Sequence, residues 1–275
     1  MATPALSIVT TCKGRLEFLK QTLDPMIATG FPVTVVDYDC PQGTAAWVSA
    51  RHSGVRVIKA VDRPIFNLSA ARNLGAHGLK SDYILFLDSD TIPTEQFSRD
   101  LARLPLRDGI FVVAGNFELL GQALVPRRPF ERIGGYDEII EGWGYDDEDL
   151  YERLQDTGLI RQQFSGTSFR SLPHQDAQPA LPSDKADKWA SQRLNAIYSR
   201  LKRDVEVLRR EQMTLEWRRK VRNAVESAIR RVEGGQGSQT VTISLPPITA
   251  NASAPDARNG VYNLNRHIEF RIEIP

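Results

Sequence analysis

The chain predicts an α/β fold: a mostly parallel central sheet flanked by helices, with a C-terminal helical extension and a small β appendage. Three observations predict it. Between residues 6 and 88, short apolar runs rich in β-branched residues alternate with longer amphipathic segments, as strands and helices do in a parallel sheet covered on both faces. Residues 184–232 hold 14 Lys/Arg and 7 Asp/Glu, have no Gly or Pro, and place Leu194, Ile197, Leu201, Val205, Leu208 and Leu215 at helical spacing. Beyond the Gly-rich segment 234–238, the runs TVTISL and HIEFRIEI alternate apolar with polar residues, and Ile268, Phe270, Ile272 and Ile274 share one face.

The elements follow in order. LSIVTT (6–11) reads as the first strand, RLEFLKQTLDPMIATG (15–30) as a helix, VTVVDYD (33–39) as a strand, TAAWVSARHSG (44–54) as a helix and VRVIKA (55–60) as a strand. NLSAARNLGAHGLKS (67–81) is the next helix, with Asn67 or Ser69 as its cap and Gly78 near its end. YILFLD (83–88) is the strand that follows. Residues 110–173 lose this regularity, apart from a helix over 146–157 closed by Gly158, whose four leading acids suit the positive end of its dipole. The domain boundaries expected are 1–183 for the α/β domain, 184–233 for the basic helical extension, and 234–275 for the hinge and β appendage.

Composition narrows the function. Lys+Arg 35 against Asp+Glu 34 gives no polyelectrolyte signal for nucleic acid. The two cysteines, Cys12 and Cys40, make neither a disulfide framework nor a zinc set, which favours a reducing, cytoplasmic setting. MATPALSIVTT lacks a basic leader, and no run approaches the roughly 18 apolar residues of a membrane span, so membrane contact is expected to be peripheral, at the inner face.

Ligands of open α/β sheets bind beyond the carboxyl ends of the strands. YILFLDSD exits there into Asp88 and Asp90, two apart and able to share a hard, oxygen-preferring cation such as Mn²⁺ or Mg²⁺. Two other readings stand beside this one. Asp-Ser-Asp is also turn chemistry, and strand-exit aspartates also mark aspartate-nucleophile phosphatases, although Ile92 stands four places after Asp88 where that signature has Thr or Val.

Four motifs in order resemble the GT-A glycosyltransferases, in particular the family-2-like group related to chondroitin polymerases, polypeptide N-acetylgalactosaminyltransferases and β-1,4-galactosyltransferases. They are SIVTTCKGRLEFLKQTL, VVDYDCPQGT, NLSAARNLGA followed by YILFLDSD, and GGYDEIIEGWGYDDEDLYERL, and together they cover roughly residues 5–175. The resemblance implies a GT-A fold, a nucleotide-sugar donor and a DxD metal motif. It places Thr11, Lys13 and Arg15 at the nucleotide, Asp39 rather than Asp37 at the uracil N3–H, and Arg72, Asn73 and Asp88 at the donor sugar and phosphates. Asp88 and Asp90 become metal ligands, joined by His174.

On the acceptor side the related motif reads approximately WGGED. Trp143 and Gly144 coincide with it, Tyr145 replaces the second Gly, Asp146 replaces Glu, and Asp147 keeps the Asp. The resemblance therefore implies Asp147, with Asp146, as the catalytic carboxylates that deprotonate an attacking hydroxyl, and Trp143, Gly144 and Asp146 as acceptor-binding. Trp143 is equally readable as core. Glu148 and Asp149 read as servants of the helix terminus.

The function implied is metal-dependent transfer from a UDP-sugar to a hydroxyl of a glycan or glycoconjugate, with inversion. A metal-dependent nucleotidyl or phosphoryl transferase and a non-catalytic sugar-nucleotide-binding module are the alternatives. The apolar stripe of 184–233 leaves three fates open: packing on the catalytic domain, self-association, or contact with an acidic lipid surface.

Overall fold

The computed structural model describes residues 5–106, 109–116, 119, 121–173, 185–209, 211–252 and 260–273. They fall into two compact units, Met1–Lys188 and Trp189–Pro275.

The first unit opens as the alternation predicts. Strand β1 (Leu6–Cys12), helix α1 (Leu16–Ala28), β2 (Val33–Tyr38), α2 (Thr44–Arg51), β3 (Arg56–Ala60), α3 (Leu68–Ala76) and β4 (Tyr83–Asp88) follow one another. The cap of α3 is Asn67, whose side-chain oxygen accepts the Ala70 N–H at 2.8 Å; Ser69 lies buried inside the first turn.

The segment that loses regularity in sequence supplies the rest of the unit. It contains β5 (Thr91–Pro93), α4 (Glu95–Leu101), β6 (Ile110–Val113), β7 (Ala123–Pro126), α5 (Arg127–Arg132), α6 (Asp146–Asp156), β8 (Ile160–Gln163) and β9 (Phe169–Ser171). The main sheet has the order β3-β2-β1-β4-β7-β6-β8. β7 runs antiparallel to both its neighbours, and the other four pairings are parallel. β5 and β9 form a separate antiparallel pair.

Side chains alternate across this sheet as the pleat requires. Ile8, Leu85, Val112 and Leu124 face one layer with Leu19, Leu23 and Met26 of α1 and Phe97 of α4. Val9, Ile84, Phe86, Phe111 and Val125 face the other with Phe130 of α5 and Leu150, Tyr151 and Leu154 of α6. α3 lies close on this second face because residue 75 is glycine: a Cβ there would stand 2.3 Å from Val9 Cγ1 and 3.0 Å from Val36 Cγ2. That approach carries the polar residues of α3 to the carboxyl edge of the sheet.

The basic segment forms two helices, α7 (Lys185–Arg209), which belongs to the second unit from Trp189 onward, and α8 (Leu215–Glu233). The expected stripe is only partly buried. Leu201 and Val205 are buried, but their companions on the buried face of α7 are Asn195, Tyr198, Ser199 and Lys202, while Leu208 and Leu215 are 59% and 48% exposed. Leu208 lies in the last turn of α7 and Leu215 opens α8, so neither has a helical turn on both sides to pack with. α8 buries Val221, Val225, Ala228, Ile229 and Val232 at helical spacing and packs on β10 (Gln239–Ala252), which pairs antiparallel with β11 (Gly260–Ile272). The appendage is therefore a longer hairpin than the alternation predicts, its register shifting between Leu245 and Ile248 where Pro246 and Pro247 offer no N–H. Among the described residues, no helix is long and apolar enough to cross a membrane.

Candidate active site

The carboxyl ends of β1, β2 and β4 lie side by side, with Thr11 opposite Asp88 and Cys12 opposite Asp37 in register. The loops leaving them are bound together. Lys13 Nζ donates to the carbonyl oxygens of Tyr38 (3.3 Å), Asp39 (3.0 Å) and Arg63 (2.6 Å), and the Leu16 N–H donates to Gln42 Oε1 at 2.8 Å. All three donors of the ammonium are thus committed, and Lys13 acts by shaping the loops beside a ligand.

The two acids of the second strand divide their work. Asp37 is buried and accepts the N–H groups of Cys40 and Ala45, both at 2.7 Å, so it anchors the turn into α2. Asp39 lies just past the strand with φ 53° and accepts the Arg63 N–H at 3.1 Å. One of its carboxylate oxygens is engaged there, and the group sits at the strand exit where a base could reach it.

The acids of β4 meet guanidinium groups. Arg72, 2% exposed although it sits on a helix, donates to Asp88 Oδ1 at 2.9 Å, to the Tyr136 hydroxyl at 3.2 Å and to Asp146 Oδ2 at 3.5 Å. Its cation also lies 5.1 Å from the centre of the Tyr136 ring. Gln122, just before β7, closes the other side of Asp88: its amide donates to Oδ2 at 2.7 Å and its oxygen accepts the Asp88 N–H at 2.7 Å. Asp90, 7% exposed, pairs with Arg15 at 2.9 Å. Asn73 does not face Asp88. It accepts the Tyr136 N–H at 2.8 Å and donates to the Tyr136 carbonyl and to Glu138, both at 2.9 Å, holding the approach to the second acidic cluster.

That cluster starts α6. Gly142, Gly144 and Tyr145 all have positive φ, 78°, 86° and 70°, which explains physically why a second glycine suits the related motif: a non-glycine residue there costs about 1–2 kcal/mol. Tyr145 holds the same left-handed conformation. Of the four leading acids, Glu148 pairs with Arg161 at 3.0 Å and Asp149 with Arg153 at 2.7 Å. Asp146 reaches Arg72 at 3.5 Å, and Asp147 accepts the Glu148 N–H at 2.9 Å. Trp143 is 44% exposed on the same loop.

Burial lifts the Asp146 carboxyl to about 6, Asp147 adds to the rise, and Arg72 opposes it. Asp147 is raised as well, by burial first, with the Glu148 N–H and Arg72 pulling back. Burial also holds Tyr136 far above its ordinary value, so it stays a neutral phenol. Burial opposes the charge of Arg72, but Tyr136, Asp88 and Asp146 outweigh it and keep the guanidinium protonated.

A pH consequence follows for stability. An unfolded aspartate titrates at about 3.9 and Asp146 at about 6 in the folded chain, so between these values the folded state binds more protons. Stability contributed by this group therefore falls as pH rises through that window and reaches its full cost above it. Replacing Asp146 by Asn removes the cost, and the Tm difference between variant and wild type should widen between about pH 4 and about pH 7. Parallel Tm-versus-pH curves would show that Asp146 titrates like a surface acid.

The donor set fits a hard divalent cation. Asp88 and Asp90 present oxygen only, at a strand exit, and such ions are commonly held by one or two carboxylates with phosphates and waters completing the shell. Among the described residues no group of three metal-binding side chains assembles. His174, implied as a third ligand, lies outside the described residues.

Known proteins share this architecture. Residues 120–175 match the family model described as the N-terminal domain of galactosyltransferase. No curated protein sequence matches the chain. Among solved structures, GalNAc-T7 with UDP, GalNAc and Mn²⁺ aligns with TM-score 0.58 and 12% identity, over 72% of this chain and 48% of that one. The mannosyltransferase PcManGT from Pyrobaculum calidifontis, in complex with GDP-Man and Mn²⁺, aligns with TM-score 0.53 and 13% identity, over 84% and 76%. The catalytic domain of Drosophila β1,4-galactosyltransferase 7 gives TM-score 0.49 and 18% identity, over 69% and 80%. The chain therefore has a GT-A fold, and its residues 120–175 are similar to the N-terminal domain of galactosyltransferase.

Proposed function

We propose that the enzyme moves a sugar from a UDP-sugar to a hydroxyl of a glycan or glycoconjugate, with inversion at the anomeric carbon. One observation carries this reading: the buried guanidinium of Arg72 joins the strand-exit carboxylate Asp88 to the carboxylate Asp146 at the start of α6. Donor-side and acceptor-side acids thus converge on one charge, as transfer between two bound substrates requires.

Asp39 accepts the uracil N3–H, with Thr11 and Arg15 at the nucleotide beside it. Asp88 and Asp90, with His174, hold Mn²⁺ or Mg²⁺, which supplies positive charge to the departing diphosphate. Asp147 takes the proton of the acceptor hydroxyl. Its raised pKa brings it nearer the operating pH, which makes a carboxylate a better base. Trp143 and Gly144 receive the acceptor sugar, the indole standing 44% exposed with the Lys188 ammonium 5.8 Å from its ring centre. Mn²⁺ accompanies both a UDP-bound and a GDP-bound neighbour, so the choice of base rests on Asp39, and UDP should displace a fluorescent nucleotide better than GDP does.

The metal assignment is tested by Asp90→Ala. A carboxylate at a strand exit contributes ligand charge and little packing, so the variant should keep its Tm and lose metal-dependent UDP release. Full activity in Asp90→Ala, or in wild type with chelator, overturns it. Release of inorganic phosphate in place of UDP would overturn sugar transfer itself.

The reading also places the enzyme in the cytoplasm and gives residues 184–233 an external contact, supported by Val207, Leu208 and Leu215 standing 66%, 59% and 48% exposed among arginines. A second copy or an acidic lipid surface is the occupant. Light scattering distinguishes the first and vesicle sedimentation at rising salt the second.

A further inference from the structure

The chain has two cysteines, 28 positions apart, and folding brings them together at the donor edge of the sheet. Cys12 ends β1 and is 1% exposed; Cys40 follows β2 and is part-exposed. Cys40 packs against the core cluster to which Cys12 belongs, and Gly14, two residues after Cys12, reaches the Cys40 sulfur. The Thr44 hydroxyl, itself fully buried, donates to Cys12 Sγ at 3.2 Å, and the Gly14 N–H donates to Cys40 Sγ at 3.2 Å. The pair is therefore polarised: one sulfur is reachable and sits among donors, and the other is enclosed and keeps its proton.

We propose that Cys40 is a site of reversible thiol–disulfide exchange, with Cys12 as its resolving thiol and low-molecular-weight disulfides of the glutathione type as its reaction partner. Cys40 attacks as thiolate. It bonds to one sulfur of the small disulfide, whose S–S bond breaks and sends the first small thiolate away with the electron pair. Cys12 then attacks the Cys40 sulfur, and the second small thiolate departs, taking the Cys12 proton. Two protein thiols are oxidised to one disulfide, and one small disulfide is reduced to two thiols.

The surroundings favour this division of labour. The neighbouring Cys12 thiol is the first cause lowering the Cys40 thiol, to about 5, with Thr44 and the backbone N–H groups of Gly14 and Gln42 adding to it against burial. The same contact and burial push Cys12 far up. The charged groups on the packed segments are Lys13, bonded to the Asp39 carbonyl, Arg15, paired with Asp90, Asp37, bonded to the Cys40 N–H, Asp39, bonded to the Arg63 backbone N–H, and the Arg63 guanidinium.

The consequence is local. A bond between Cys12 and Cys40 ties the loop carrying Lys13 and Arg15 to the turn after Asp39, the residues assigned to the nucleotide. This consequence, unlike the exchange, rests on the proposed donor site.

The test uses the intact chain in buffers of oxidised and reduced glutathione, quenched with acid and N-ethylmaleimide and read by intact mass. The expected result is wild type lacking two hydrogens and two maleimides, with Cys12→Ser stopping at a glutathione adduct. Rate of iodoacetamide labelling at Cys40 should have its midpoint at about 5, against about 8.5 for a free thiol. Two freely alkylated thiols at every glutathione ratio, or a labelling midpoint at the free-thiol value, overturns the proposal without reference to any variant's folding. UDP calorimetry on the oxidised form should show affinity changed at least tenfold and restored by reductant. A disulfide that forms without that change overturns the link to the donor while the exchange site stands.

Discussion

Asp147→Asn should lose sugar transfer by about 10²–10⁴-fold, the effect of a missing general base, while UDP affinity stays within a factor of about two to three of wild type. Asparagine keeps the size and polarity of the side chain and still accepts the hydrogen bond that Glu148 N–H gives to Asp147 Oδ1 at 2.9 Å, so the start of α6 is preserved. Only the proton acceptor disappears. Asp147 makes no direct ion pair with Arg72, whose partners are Asp88, Asp146 and Tyr136, so the donor side keeps its geometry. The pH profile discriminates further: the acid limb of kcat/KM in wild type should lie above the ordinary aspartate range, because burial raises both Asp146 and Asp147, and that limb should vanish in the variant. If calorimetry and turnover fall together, Asp147 serves the donor or the helix terminus instead of the acceptor.

Much of this site is legible in sequence because strand exits are. The runs ending at Thr11, Asp39 and Asp88 are continuous, apolar and long enough to be read without knowing what they pair with, and parallel sheets gather such ends along one edge. The divided roles of the α6 acids are legible too, since Glu148 and Asp149 stand where helix-terminal acids belong. What stays hidden depends on pairing across distance. β6, β7, β8 and β9 are only three or four residues long, too short for periodicity to mark, and β7 enters the sheet antiparallel. That inversion is what carries Gln122 to Asp88, because Ala123 at the start of β7 lies opposite Phe86 near the end of β4. The signal available is a lone glutamine before the apolar run ALVP, which means nothing until the pairing is known. Arg72 is the same case: in sequence it is as readily a surface charge on an amphipathic helix, and only the close approach of α3 at Gly75 turns that position inward. Lys13 errs the other way, its cation looking available in sequence and spent on three carbonyls in the fold.

Arg72→Met should be the most damaging single change in the first unit. The guanidinium is 2% exposed and stands between two carboxylates that lose their shared counter-charge when it goes. Methionine fills much of the volume and none of the charge, so the cost is that of stranded acids, about 3–5 kcal/mol for a broken buried pair, or a Tm fall of roughly 6–20 °C for a unit of this size. Arg72→Lys should rescue little, because one ammonium cannot present separate donors to Asp88, Asp146 and the Tyr136 hydroxyl in the plane that the guanidinium uses. Two further measurements tell this account from simple loss of packing. Adding Asp146→Asn to Arg72→Met should recover part of the Tm, since one of the stranded charges is then gone, and a divalent cation should raise the Tm of Arg72→Met more than that of wild type, by restoring positive charge at Asp88. A methionine variant that melts within about 2 °C of wild type would show that the two acids need no buried counter-ion, and that Arg72 does not join the halves of the site.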